Sequence, residues 1–185
     1  MFIFRRITLK DIQFKLKTGN KAFDEFAPNE SLENYIKQDT IKDGQYLTYL
    51  LLEQKDLKSE LLGLLRYRYA AEDDFIEQLV LTSVSEDIKK NIEKLLSLKK
   101  YKIVYLSRIG VLKKYHEMRI SQIISNFFEF LIQREKQDTI IYAKILEDLT
   151  KIVGSKYQIL GKGTDEKWGN YFFVSKIMEF YPKKV

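Results

Sequence analysis

The residues best suited to chemistry lie in the stretch RIGVLKKYHEMRISQII, residues 108–124. An apolar run that ends at Val111 is followed by the basic letters KKYH, and an apolar helical pattern begins at Ile120. A strand, a short basic turn and a helix in this order are typical of a phosphate-binding turn, because the first N–H groups of a helix have no partner within it. Glycine usually makes room in such a turn, yet the segment between Val111 and Ile120 contains none.

Composition limits the other kinds of chemistry. The chain has no cysteine, which excludes disulfides, thiolate catalysis and zinc–sulfur sites. His116 is the only histidine, and without a second histidine or a cysteine no metal site is predicted. A single histidine suggests a general base, and a solvated histidine is the alternative.

Hydrophobic periodicity predicts a mixed α/β fold. Strands are predicted over Phe2–Thr8, Gln45–Gln54, Leu61–Ala70, Tyr101–Val111 and Thr139–Leu146, and a final hairpin over KYQILGKG and WGNYFFVSKIM. Helices are predicted over LKDIQFKLK, PNESLENYIKQD, SEDIKKNIEKLLSLKK, ISQIISNFFEFLIQREK and EDLTKIVG. The segment AEDDFIEQLVLTSV fits either a strand or a helix. The second and third strands are expected to form an antiparallel hairpin, whereas the strand–helix–strand order from Tyr101 to Leu146 predicts a parallel pair.

Length and charge point to one soluble domain. A chain of 185 residues suits a single core. The net charge of +6 fits an anionic ligand, a nucleic-acid partner or a solubility role, and the basic residues are too dispersed to indicate nucleic acid in particular. No apolar run is long enough to span a membrane, and the first segment is too charged for a signal peptide. A cytoplasmic location is therefore expected.

The element order and the stretch RIGVLKKYHEMRIS together resemble the GNAT superfamily of acyl-CoA-dependent N-acyltransferases. Members of that superfamily have a strand with a hydrophobic end, a loop of the pattern R/Q-x-x-G-x-G/A, and then a helix. Val111 matches the end of the strand, and Tyr115 matches an aromatic residue that often precedes the loop. His116 stands at the Arg/Gln position, Arg119 at the first glycine and Ser121 at the second glycine or alanine. For His116 this alignment implies a solvated or phosphate-neighbouring side chain in preference to a general base.

The resemblance implies one N-acetyltransferase domain over residues 1–185. It implies a central mixed sheet of about six or seven strands, with an antiparallel first half, a splayed parallel central pair and helices on both faces. Acetyl-CoA is implied as cosubstrate and a primary amine as acceptor, with the pantetheine pairing along the strand before the loop. The implied coenzyme A site consists of Ile109, Gly110, Val111, His116, Glu117, Met118, Arg119, Ile120 and Ser121.

The catalytic groups follow the family pattern less closely. Members often take a proton donor from a tyrosine in a late F-Y-x-x-x-G-F motif, and an alignment with LTKIVGS places Thr150 at that position. Tyr157 is the candidate to replace it, with Tyr142 as an alternative. Tyr105 stands where some members carry a carboxylate base, and the acids of AEDDF are a further alternative for a base that acts through water.

Two other functions stay open on this reasoning. Because the loop glycines and the late tyrosine are replaced, the chain fits a binding module that has the fold without catalysis. Its basic charge also fits a translation-associated protein, including a toxin that acetylates charged tRNA. The strand hairpins are compatible with a homodimer.

Overall fold

The computed structural model describes residues 1–7, 46–55, 58–146, 156–166 and 169–180. Seven strands form one sheet in the order β1-β2-β3-β4-β5-β7-β6. The strands are β1 (Phe2–Arg6), β2 (Leu47–Lys55), β3 (Lys58–Ala70), β4 (Lys102–Val111), β5 (Thr139–Leu146), β6 (Gln158–Asp165) and β7 (Gly169–Met178). The helices of the described residues are α1 (Glu72–Leu81), α2 (Glu86–Leu98) and α3 (Ile120–Gln133), with a 3₁₀ helix at Lys113–Met118.

This architecture confirms the predicted mixed α/β fold. Strands β1, β2 and β3 pair in antiparallel fashion, and so do β5, β6 and β7, whereas β4 and β5 are parallel. The undecided segment AEDDFIEQLVLTSV is helical over α1, where three acids occupy the first turn. Three predicted helices, over LKDIQFKLK, PNESLENYIKQD and EDLTKIVG, lie outside the described residues, as does Thr150.

The parallel pairing of β4 and β5 is shorter than either strand. Its register runs from Lys102 opposite Thr139 to Leu106 opposite Ala143. Strand β4 continues to Val111, so its last part lies beyond this ladder. This agrees with the predicted splayed pair, because a parallel ladder that stops early leaves backbone groups of β4 outside it.

The chain divides into two compact units, the first made of Met1–Arg68 and Arg108–Leu131. In this unit α3 packs on the sheet through residues one turn apart. Ile120, Ile124 and Phe128 are buried, as the 3.6-residue period requires. The ring of Phe128 lies 5.2 Å from that of Tyr67 on β3. Burial of this face orients the N-terminus of α3.

The second unit consists of Tyr69–Ser107 and Ile132–Val185. Its core is aromatic: the Phe75 ring of α1 lies 5.1 Å from Tyr142 and 6.1 Å from Phe173. Because Phe75 and Leu79 are one helical turn apart and both buried, α1 has the apolar stripe that a helix needs. Helix α2 begins after Ser85, whose side chain caps it by accepting a hydrogen bond from the Ile88 amide.

Candidate functional site

The end of β4 lies very close to β3. A Cβ atom added to Gly63 would be 2.5 Å from the Gly110 carbonyl oxygen and 2.8 Å from Cδ1 of Ile124. Only glycine fits such an approach without displacing the backbone of β4. Gly63 therefore helps to place the β4 end and the start of α3. The sequence offered one weak signal for it, a glycine inside an apolar strand pattern.

A β-bulge in β3 anchors the residue after β4. The register of β2 and β3 shifts between Leu51 and Leu52, and the extra residue on β3 is Leu62. The Leu62 carbonyl accepts a hydrogen bond of 3.0 Å from the Leu112 amide. The chain is thus held to β3 at the point where it leaves the sheet.

Two side chains of the 3₁₀ helix hold it against neighbouring strands. Nε2 of His116 lies 2.9 Å from the carbonyl oxygen of Val111, the last residue of β4. The Lys114 ammonium group forms an ion pair with Glu60 of β3, and this bond raises the pKa of Lys114, so the amine stays charged. Burial, reinforced by Glu60, raises the pKa of Tyr115, which keeps its phenol neutral.

The turn between the 3₁₀ helix and α3 is made by Arg119 in a left-handed conformation, with φ 55° and ψ 23°. Glycine adopts this region without strain, and other residues rarely do. The Arg119 carbonyl accepts from the amides of Gln122 and Ile123, at 3.0 and 3.3 Å. Ile120 and Ser121 come first in α3, so their N–H groups have no carbonyl one turn earlier.

The structure gathers the predicted coenzyme A residues at one place in the first unit. Ile109, Gly110 and Val111 are half-buried at the end of β4. The predicted residues of the turn and the helix follow directly, and their exposed members are His116, Glu117, Met118 and Arg119. Ile120 is only 1% exposed, so its side chain belongs to the core of the first unit. Ser121 is half-buried.

The predicted catalytic tyrosines both belong to the second unit. Tyr105, on β4, is half-buried, and its ring stacks on Tyr142 with centroids 5.0 Å apart. Tyr157 is half-buried and directly precedes β6. The acids of AEDDF form the first turn of α1, where their negative charges interact favourably with the positive end of the helix dipole. That position gives these three carboxylates a structural role.

The charges around the turn favour an anion. Lys113, Lys114 and Arg119 supply three positive charges, against the carboxylates of Glu60 and Glu117. A helix N-terminus adds a partial positive charge at the same place. Backbone amides and cations thus converge on one short segment, a combination that suits a phosphate or pyrophosphate group.

The described part of the chain has no group of three His, Cys, Asp or Glu side chains placed to hold a metal ion. Within the same residues, no helix combines the length and apolar character needed to cross a membrane.

The similarity of this chain to known proteins lies in its structure. No protein-family model matches the chain, and no curated protein sequence matches it. Among similar solved structures is Arabidopsis thaliana NAA60 in complex with acetyl-CoA, with 13% identity, coverage of 96% of this chain and 99% of that chain, and a TM-score of 0.65. Another is the NatB acetyltransferase complex bound to a bisubstrate inhibitor, with 16% identity, coverage of 99% and 94%, and a TM-score of 0.59.

The chain is also similar in structure to a bacterial protein. It is a putative acetyltransferase of the GNAT family from Desulfovibrio desulfuricans, with 9% identity, coverage of 98% of this chain and 100% of that chain, and a TM-score of 0.59. These similarities extend over nearly the whole chain. The fold of this protein is that of the GNAT N-acetyltransferases, which confirms the family resemblance of its sequence at the level of the fold.

Proposed function

We propose that residues 1–185 form one N-acetyltransferase domain, which transfers an acetyl group from acetyl-CoA to a primary amine. The observation that carries the proposal is the backbone of Arg119. The residue that replaces the family's first loop glycine adopts the left-handed conformation for which glycine is suited. The turn therefore has a backbone shape that glycine would also allow, and it leaves the first amides of α3 suited to an anion.

The fit of acetyl-CoA to these residues rests on two further features. The last part of β4 lies beyond its ladder with β5, so the backbone of Ile109 and Val111 is suited to pair with an extended pantetheine arm. Gly110 has no side chain to block that approach. The pyrophosphate would then meet the amides of Ile120 and Ser121, while the backbone of the 3₁₀ helix borders the same turn.

Acetyl transfer requires one proton to leave the acceptor amine and one proton to reach the departing sulfur. The thioester supplies an activated acyl group and a thiolate leaving group. The acceptor nitrogen forms a bond to the acyl carbon and loses a proton, and the departing sulfur gains one. We assign protonation of the sulfur to Tyr157, whose phenolate then regains a proton from solvent. We assign to Tyr105 the orientation of a water that takes the proton from the nitrogen. The backbone groups of Ile109 and Val111 orient the acyl carbonyl for attack.

The test compares two substitutions that introduce the same charge on neighbouring residues. Ser121→Glu places a carboxylate at the second residue of α3, whereas Gln122→Glu places one on the next, exposed residue. Wild-type protein should be stabilised by acetyl-CoA in a thermal shift assay, and Ser121→Glu should weaken binding on the order of tenfold or more. Gln122→Glu should retain most of the affinity.

Turnover is measured separately, as release of free coenzyme A thiol with a panel of primary amines. Sustained release with any amine supports the enzyme. Binding without release would favour the inert binding module, and no thermal shift at millimolar acetyl-CoA would refute the coenzyme A site. Steeply salt-dependent binding of charged tRNA, followed by its acetylation, would identify the acceptor as tRNA.

A further inference from the structure

His116 has a contact that its place in the loop motif does not suggest. Its ring is directed to the protein backbone, with Nε2 2.9 Å from the Val111 carbonyl oxygen. A carbonyl oxygen can only accept a hydrogen bond, so Nε2 must carry the proton. The neutral ring is therefore held in its Nε2–H tautomer, and Nδ1 is left as the acceptor.

This bond closes a short loop between the end of β4 and the 3₁₀ helix. Val111 ends β4, and His116 lies in the 3₁₀ helix that leads to the Arg119 turn. The bond thus fixes the first part of the connection between the strand and α3. The ion pair of Lys114 with Glu60 also holds the 3₁₀ helix to the sheet, but both of these side chains are largely exposed. His116 is exposed as well, but its bond joins the 3₁₀ helix directly to the last residue of β4, so we expect it to affect the position of the turn more than the ion pair does.

We propose that the imidazole of His116 is a positioning group for the anion-binding turn, and that it acts through the Val111 carbonyl without contacting the phosphates. The proposal rests on the proposed acetyl-CoA site. The imidazole holds the Arg119 turn where the α3 amides meet the ligand. Because the turn is already ordered, less conformational entropy is lost on binding.

The tautomer can be tested without any ligand. Because His116 is the only histidine in the chain, nitrogen-detected NMR of the imidazole needs no assignment by mutagenesis. At a pH where the ring is neutral, the Nε2–H tautomer should predominate. A predominant Nδ1–H tautomer would overturn the proposal, because Nε2 could not then donate to Val111. This outcome does not depend on whether the protein binds acetyl-CoA.

The positioning role is tested by coenzyme A binding in three variants. His116→Ala removes the donor and should raise Kd about fivefold, as expected for loss of one hydrogen bond that orders the site. His116→Gln keeps an N–H donor of similar reach and should stay within about twofold of wild type. Gln122→Ala, an exposed neighbour on α3, is the control and should leave Kd unchanged.

The kinetic result separates positioning from catalysis. His116→Ala should raise KM for acetyl-CoA and leave kcat at saturation nearly unchanged. If glutamine fails to rescue alanine, the imidazole itself contacts the ligand and the proposal is wrong. A normal Kd in His116→Ala would also refute it. If the wild-type protein binds no coenzyme A, the proposed function fails, while a predominant Nδ1–H tautomer would independently exclude the His116–Val111 bond.

Discussion

Replacement of Arg119 with glycine should stabilise the protein. A residue with a Cβ atom in the left-handed region costs about 1–2 kcal/mol, and Arg119 adopts that region with φ 55°. Glycine removes this strain, but it increases the entropy of the unfolded chain by about 0.4–1 kcal/mol. The free energy of unfolding should therefore rise by about 0.5–1 kcal/mol. For a chain of this size the melting temperature should rise by about 1–4 °C.

Urea denaturation of three proteins measures this effect. Arg119→Ala is the matched control, because alanine also removes the guanidinium but keeps the Cβ atom and its strain. Glycine should be more stable than alanine by about 1 kcal/mol, and the alanine variant should not exceed wild type. Equal unfolding midpoints for the glycine and alanine variants would show that position 119 is not left-handed, and the inference of a glycine-type turn would fail with it.

The same variants separate the turn from the charge in ligand binding. Both lose one exposed cation near the proposed pyrophosphate position, and each should bind coenzyme A about twofold to fivefold more weakly. This loss should shrink as salt concentration increases, because exposed charges are screened. A much larger loss in the alanine variant than in the glycine variant would indicate that the turn, and not the charge, dominates affinity.

Three further predictions concern other parts of the molecule. Gly63→Ala should destabilise the protein by about 2–3 kcal/mol in denaturation, because its Cβ would lie 2.5 Å from the Gly110 carbonyl. Hydrogen bonding to Lys99 lowers the pKa of the Asp138 carboxyl, so its contribution to stability should be present above about pH 4 and lost as the pH falls through the lowered pKa. Asp138→Asn should flatten that acid limb of the stability profile. Tyr105→Phe should lower kcat by roughly a hundredfold or more with little change in KM for acetyl-CoA, if its phenol orients the water that takes the proton.

Each of these predictions has a result that contradicts it. If alanine at position 63 gave wild-type stability, its Cβ atom could not lie 2.5 Å from the Gly110 carbonyl oxygen, and β3 and β4 would have to be farther apart at this point. Parallel stability profiles for the wild type and Asp138→Asn at acid pH would exclude a stabilising role for that carboxylate. A phenylalanine at position 105 that retains a third or more of kcat would remove Tyr105 from the proton path and leave Tyr157 as the candidate to test next.

Much of the fold could be predicted, because hydrophobic periodicity is a local property. The apolar run of β4 and the buried stripe of Ile120, Ile124 and Phe128 on α3 both follow from it. The parallel pairing of β4 and β5 also follows, since a strand–helix–strand unit has one favoured arrangement. Helix α1 could not be decided from its own residues, because a short apolar segment fits both periods. Its packing on Tyr142 and Phe173 accounts for the result.

The sequence by itself determined which chemistries are absent and where an anion-binding turn would lie: no cysteine, one histidine, and a basic segment between a strand and a helix. Only the tertiary structure decided that Arg119 adopts a glycine conformation, that Gly63 admits the Gly110 carbonyl, and that His116 donates to Val111. The physical reason is that a backbone angle or a side-chain partner in a turn depends on how the flanking elements pack. The Arg119 turn is held between β4, which is bonded to β3, and α3, which is buried on the sheet, and no residue within the turn specifies either constraint.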